Sequence, residues 1–158
     1  MKKSIITISI LLNIVLISYL FLRENHFRSV YSNSSLSLQG DLVQLEGNIE
    51  YQIKNDWENA DSVIEKLEDV REGISNLMIL GKDLGFLTKS QENDLWSLDR
   101  FISSYPIYSG YPNTKLEDNQ KEELIQLQED LKSVGWGMNM GYSSDWKSFS
   151  NKVNELIK

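Results

Sequence analysis

The sequence predicts an all-α protein, with an N-terminal transmembrane helix followed by a compact antiparallel bundle of four main helices and a short C-terminal helix. Residues 4–22 form an uncharged apolar run, and several later segments space apolar residues three and four positions apart. No segment alternates β-branched and polar residues as a half-buried strand does. We therefore divide the chain into a membrane anchor at 1–22, a juxtamembrane connector at 23–35 and a helical bundle domain at 36–158.

The apolar run is long enough to span a bilayer. As a helix, residues 4–22 extend about 28 Å, close to the ~30 Å thickness of a hydrocarbon core. A cleaved secretory signal is the alternative, but such signals have a shorter apolar core followed by a small-residue cleavage site. Residues 18–22 offer no such site, and the triplet Val30-Tyr31-Ser32 lies well beyond Arg23. We expect a retained signal-anchor that contacts the membrane through 4–22.

The charge distribution predicts the orientation of the chain. Lys2 and Lys3 before the apolar run are balanced by Arg23 and Arg28 after it, so flanking charges alone do not decide. Acidic residues outnumber basic ones by 23 to 16, and the excess lies after residue 29. Because the cell interior is electrically negative, this acidic domain favours the outer side. We expect a single-pass protein of the cell membrane with a cytoplasmic N-terminus and its domain outside.

A helical hairpin is predicted at the start of the domain. One helix has an apolar face formed by Leu38, Leu42, Leu45, Ile49 and Ile53. The next has a face formed by Val63, Leu67, Val70, Ile74, Leu77 and Gly81. Within residues 54–60, Asp56 is the expected N-cap of the second helix, with Trp57 and Glu58 in its first turn, so the hairpin is tight. Gly40 and Gly47 weaken the first helix. The apolar residues keep nearly the same helical spacing through residues 53–63, so one unbroken helix over 36–81 is the alternative.

Three further helices follow. A capping box at 88–91 opens a helix with apolar positions at Leu95, Leu98, Ile102 and Tyr105, before Pro106. A second box at 114–117 opens a helix with apolar positions at Leu124, Leu127, Leu131 and Val134, before Gly135. Ser143 or Ser144 is the expected cap of the last helix, whose apolar side carries Trp146, Phe149, Val153 and Leu156.

The residue inventory argues against an enzyme. The chain has no cysteine and a single histidine, His26, next to the anchor, so nucleophile–base pairs and thiolate metal sites cannot be built. The sequence contains no phosphate-binding loop, zinc motif or nucleophile elbow. The acidic balance disfavours a nucleic-acid partner. We predict a non-enzymatic domain without catalytic residues, cofactor or metal.

Two predicted loops, 105–112 and 135–142, concentrate aromatic residues and methionines. They supply the candidate interaction surface, which consists of Tyr105, Tyr108, Tyr111, Trp136, Met138, Met140 and Tyr142. A structural interpretation competes with this one, in which the rings plug the ends of the bundle. For function, we expect a protein–protein interaction or accessory module with a protein partner. The alternative is a domain that senses a small-molecule or cell-envelope ligand through both loops.

Overall fold

The chain is all-helical within the residues that the structure describes. The computed structural model describes residues 2–107 and 112–158, with side chains described for residue 6 and from residue 8 onward. These ranges contain five helices and no strand: α1, Lys2–Lys54; α2, Asp61–Asp83; α3, Lys89–Ile102; α4, Asp118–Ser133; and α5, Trp146–Leu156. The predicted all-α class is therefore confirmed for this part of the chain. The sequence predicts six helices, whereas the described residues form five, because the anchor and the first domain helix form one continuous helix.

Helix α1 is continuous over 53 residues. Every side chain from Ile8 to Leu22 is exposed, whereas Leu38, Leu42 and Ile49 are fully buried. Among the described residues, α1 alone is long and apolar enough to cross a membrane. The apolar segment (residues 4–22), the connector and the first domain helix are therefore successive parts of one rod.

Helices α1 and α2 form the predicted hairpin. Near the turn, Nε2 of Gln52 lies 3.3 Å from Oγ of Ser62. Farther from it, Nζ of Lys66 donates to Oε1 of Gln44 at 3.1 Å. Contacts thus join earlier residues of α1 to later residues of α2, so the two helices are antiparallel. The alternative of one helix over 36–81 is wrong.

The turn between α1 and α2 is longer than predicted. Asp56 and Trp57 have φ values of 52° and 60°, in the left-handed region that an α-helix does not use. Helix α2 begins five residues later, at Asp61, after Ala60. The prediction that Asp56 caps α2 is wrong, because this residue reverses the chain instead of starting the helix.

Helices α3 and α4 pack on this hairpin, and α5 packs on α3. Nζ of Lys82 lies 2.7 Å from Oε1 of Glu92, which joins the end of α2 to the start of α3. Gln128 of α4 donates from Nε2 to Oε1 of the buried Glu46 of α1. Nε1 of Trp146 on α5 donates to Oδ2 of Asp94 on α3 at 3.1 Å. The predicted apolar faces meet in the core, with Ile53, Tyr105, Val134 and Trp146 at its edge.

The cap of α3 is predicted correctly and that of α4 is not. Gln91 donates its backbone N–H to Thr88 Oγ1 at 3.3 Å and accepts from the Thr88 N–H at 2.8 Å. Helix α4 begins three residues later than expected, with Glu117 as N-cap and Gln120 completing the box. Thr114 instead donates its backbone N–H to Oδ1 of Asp61, the first residue of α2, at 2.8 Å. This hydrogen bond connects the α3–α4 loop to the hairpin.

The cap of α5 also lies beyond the predicted serines. Asp145 precedes the helix and accepts a hydrogen bond from the backbone N–H of Ser148 at 2.9 Å. A carboxylate at this position satisfies a free N–H group and complements the positive end of the helix dipole. Ser143 and Ser144 were therefore the wrong candidates for the cap.

Candidate functional site

The two predicted loops flank α4 along the chain. Loop 105–112 precedes this helix and loop 135–142 follows it, and α4 itself has 16 residues and is about 24 Å long. Tyr108 and Tyr111 lie outside the described residues. The other predicted surface residues therefore fall into two groups, Tyr105 in one and the residues of 135–142 in the other.

Tyr105 is half-buried against the side of α4. Its ring contacts the edge of Phe101 at a centroid distance of 5.5 Å, and it borders a shallow cavity with Glu123 and Gln126. Burial, followed by the negative charges of Asp130 and Glu123, raises the pKa of the Tyr105 hydroxyl to about 12. Tyr105 is thus an uncharged ring packed between α3 and α4 at neutral pH.

We call residues 135–142 the methionine loop. Its tryptophan, Trp136, is fully buried, with its ring 6.0 Å from that of Phe149. Nε1 of Trp136 lies 3.4 Å from Oε1 of Gln39 on α1. The ring therefore fills the core, as the plugging interpretation predicts, and fixes the loop from within.

The side chain of Lys152 holds the beginning of the methionine loop in place. Its ammonium donates to the carbonyl of Gly135 at 2.6 Å and lies 5.5 Å from the centroid of the Trp136 ring. Partial burial lowers the pKa of Lys152. Gly135 adopts φ 92°, a left-handed value that glycine reaches without steric strain, so α4 can end sharply here.

The centre of the loop is attached to a buried carboxylate. Glu46 on α1 is 1% exposed and accepts from the backbone N–H of Met138 at 3.1 Å through Oε2. Its other oxygen accepts from Nε2 of Gln128 on α4. Gln39, which lies two helical turns earlier on the same face of α1, donates to the carbonyl of Ser143 at 2.9 Å. Two polar side chains of α1 thus hold the loop at both ends of the methionine pair.

Two glycines of α1 make room for the loop. A Cβ atom on Gly47 would lie 2.5 Å from Cγ of Met138, and one on Gly40 would lie 3.2 Å from the hydroxyl of Tyr142. The sequence interpretation treated both glycines only as weak helix formers and missed Gln39 and Glu46. Their shared helical spacing was the available signal, because residues three, four and seven apart lie on one face.

The tips of the loop remain accessible. Met138, Met140 and Tyr142 are 57%, 47% and 38% exposed. The methionines border a groove of about 120 Å³ whose other lining residues are Glu46, Glu50, Lys132, Gly137 and Asn139. The hydrogen bond and charge of Lys54, with the charge of Lys132, lower the pKa of the Glu50 carboxyl, so this rim carries both signs of charge.

The methionine loop is therefore a fixed backbone that presents two thioethers and one phenol to solvent. Such a platform offers apolar contact but no nucleophile–base pair among these residues. In comparisons with known proteins, no family model matches the chain, and neither a curated protein nor a solved structure matches it.

Proposed function

We propose that this chain is a single-pass protein of the cell membrane whose non-enzymatic, extracytoplasmic domain binds another protein through the methionine loop. The observation that carries the proposal is the exposure of Met138, Met140 and Tyr142 on a loop that Trp136 and Glu46 hold in place. The proposal includes a compact antiparallel bundle of four main helices with α5 beside it. The antiparallel α1–α2 pair and the shared core support that arrangement.

The composition of the loop suits a protein partner. Methionine is unbranched and polarizable, so its side chain adapts to apolar surfaces of different shape. Tyrosine adds a large contact area with a polar tip, which is common at interfaces. Because the backbone is already fixed by hydrogen bonds from Met138 and to Ser143, binding requires little further ordering of the chain.

The geometry gives less support to a ligand sensor, which remains the alternative proposal. Small-molecule pockets commonly enclose about 300–1,000 Å³, whereas the groove at the methionine loop holds about 120 Å³. Trp136 is fully buried and cannot line an open pocket. Tyr105 borders a separate open cavity of about 330 Å³ with Glu123 and Gln126, so the described residues of the two loops do not line one shared pocket.

The membrane orientation is part of the same proposal. The apolar segment of α1 is exposed from Ile8 to Leu22, as a lipid-facing helix requires, and the domain that follows is rich in acid. A C-terminal alkaline phosphatase fusion is expected to be active, and a C-terminal cytoplasmic reporter inactive. The reverse pattern would place the domain inside the cell.

Site-specific photo-crosslinking in intact membranes tests the protein partner. A photoactivatable amino acid at Met140 is expected to yield an adduct with one defined protein. Ile79 on α2, which is 57% exposed, provides the matched control position and is expected to yield no such adduct. Lipid adducts alone at Met140, or the same adducts at both positions, would contradict the proposal. The double variant Met138→Ser/Met140→Ser is expected to lose the partner while retaining the helical circular-dichroism spectrum.

A further inference from the structure

The loop between α2 and α3 lies beside the end of the apolar segment. Leu84 and Phe86 of this loop, residues 84–88, line an open cleft of about 420 Å³ whose other side is the stretch of α1 with Leu20, Arg23, Glu24 and Phe27. Leu20 belongs to the apolar segment and is 49% exposed. The loop therefore reaches back to the level at which α1 would enter a bilayer.

The position of this loop relative to α1 is fixed. The backbone N–H groups of Phe86 and Leu87 donate to the carbonyl of Gly81 at 2.9 and 3.0 Å. The ring of Phe86 lies 6.1 Å from the ring of Tyr31. The Arg28 guanidinium lies 5.2 Å from the centroid of the Phe86 ring. The loop is thus hydrogen-bonded to the end of α2, and its Phe86 ring packs on α1.

The height of the loop matches the headgroup layer. A helix perpendicular to the bilayer rises about 7.5 Å over the five residues from Leu22 to Phe27. The polar layer on each side of the hydrocarbon core is roughly 5–8 Å thick. Because Leu84 and Phe86 face the stretch between Leu20 and Phe27, they lie at the depth of this layer whenever the apolar segment spans the core.

The charges at this level also suit a lipid surface. Arg23 and Arg28 are exposed, and the Arg23 guanidinium lies 5.1 Å from the centroid of the Phe27 ring. Glu24 pairs with Arg28 at 2.7 Å. Guanidinium groups bind phosphate well, and segments that lie in the membrane interface bury Phe and Leu side chains at the boundary between headgroups and acyl chains. Arginine and apolar residues therefore meet at one end of an otherwise acidic domain.

We propose that the α2–α3 loop is a second membrane contact, in which Leu84 and Phe86 lie within the phospholipid headgroup layer and Arg23 faces the lipid phosphates. This inference rests on the membrane anchor of the proposed function and does not depend on the methionine loop. A contact beside α1 fixes the rotation of the domain about the anchor, which a single helix does not.

Spin labelling of the full chain tests this contact. The sequence contains no cysteine, so a single introduced thiol gives a unique label. Labels are placed separately through Leu84→Cys, Phe86→Cys, Leu16→Cys in the apolar segment and Tyr51→Cys at the far end of α1. Each variant is reconstituted in nanodiscs of phosphatidylcholine and phosphatidylglycerol, and its helix content is checked by circular dichroism. The measured quantity is the ratio of collision rates with oxygen and with a nickel chelate.

The ratio at Leu84 and Phe86 is expected to shift from the value at Tyr51 towards the higher value at Leu16. Leu84→Cys suffices if Phe86→Cys fails to fold, because Leu84 borders the same cleft. Equal ratios at Leu84, Phe86 and Tyr51, with a high ratio at Leu16, would overturn the second contact and leave the anchor standing. A low ratio at Leu16 would overturn both. Disulfide formation between two copies through Cys at position 86 would assign the surface to a second chain and also overturn the proposal.

Discussion

Glu46 is the single residue on which the methionine loop depends most. We expect Glu46→Ala to lower the free energy of unfolding by about 2–4 kcal/mol, because it leaves the buried Gln128 amide and the partly buried Met138 N–H without their acceptor. Urea denaturation measures the change. Gln44→Ala on the same helix removes an exposed side chain and is expected to have little effect. Equal losses in the two variants would show that Glu46 carries no special role.

Gly47 controls the position of Met138. We expect Gly47→Ala to displace the Met138 side chain, because the added methyl group would lie 2.5 Å from its Cγ. Met138 is exposed and can move, so the free energy of unfolding is expected to stay within about 1 kcal/mol of the parent value. Carbon-13 spectra of the methionine methyl groups report the displacement as a shift of the Met138 signal. Ser37→Ala, at an exposed position of α1, is the control and should leave that signal unchanged.

The site residues could be predicted from the sequence only in part. The composition of their loop predicts Met138, Met140 and Tyr142 as surface residues, and all three side chains are exposed; whether they bind a partner stays a prediction. Gln39 and Glu46 were missed because periodicity counts apolar residues, whereas a polar residue can be buried wherever another element supplies its hydrogen-bond partner. That partner lies far along the chain, so local sequence does not reveal it.

Helices α2 and α3 are joined by a carboxylate that two lysines hold. Lys82 and Lys89 lie 2.7 and 2.9 Å from the oxygens of Glu92. Their hydrogen bonds, with smaller contributions from their charges, lower the pKa of Glu92 from its usual 4.5 to about 2. Because the folded pKa lies below the unfolded one, the ionised carboxylate stabilises the fold above pH 4.5, and this contribution disappears as the pH falls towards 2.

We therefore expect Glu92→Gln to be less stable than the parent at pH 7, and the difference to shrink between pH 4.5 and pH 2. Thermal unfolding of both proteins across this range measures it. Comparing the two proteins at each pH removes the effect of the other carboxyl groups, which are common to both. A difference that stays constant down to pH 2 would show that the charge of Glu92 is not its source.

The helices were predicted better than their ends. The apolar faces of all five follow from spacing alone, because burial of one side imposes a period near 3.6 residues. The cap of α3 was recognised, since Thr88 and Gln91 satisfy each other locally. The prediction of Thr114 as a cap is wrong, because its N–H donates to the Asp61 carboxylate of α2 and not to the side chain of Glu117. The Thr114–Asp61 contact joins distant segments of the chain. Local signals therefore predict a boundary only where the capping partners are themselves local.

The molecule as a whole is organised around α1. Its face with Leu38 and Gln52 packs towards α2, and its face with Gln39 and Glu46 packs towards α4 and the methionine loop. The sequence predicted an anchor, a connector and a domain helix as separate parts. It did not predict their continuity, because the polar residues of 23–35 show no apolar periodicity, although they are compatible with helix.

Continuity of α1 predicts a long, well-defined distance. Spin labels at Leu16→Cys and Tyr51→Cys in one chain are expected to lie about 52 Å apart with a narrow distribution, since 35 residues of helix separate them. Asn25→Pro is expected to broaden that distribution, because proline removes a helical hydrogen bond and clashes with the preceding turn. Asn25 is exposed, so the domain itself should stay folded.

Pulsed dipolar spectroscopy in lipid nanodiscs measures both distributions. Asn25→Ala at the same position provides the control and is expected to keep the narrow distance. A broad distribution in the parent chain would mean that residues 23–35 bend freely and that the domain is only loosely tied to its anchor.

Because α1 is uninterrupted, a change in the tilt of its apolar segment also moves the rest of the domain. The helix extends about 48 Å from Leu22 to Lys54, so a 10° inclination of the apolar segment moves the turn at residues 55–60 sideways by about 8 Å. Membrane helices change their inclination when the bilayer becomes thinner or thicker. If the apolar segment spans a bilayer, as proposed, small differences in membrane thickness displace the turn at residues 55–60 by a larger distance.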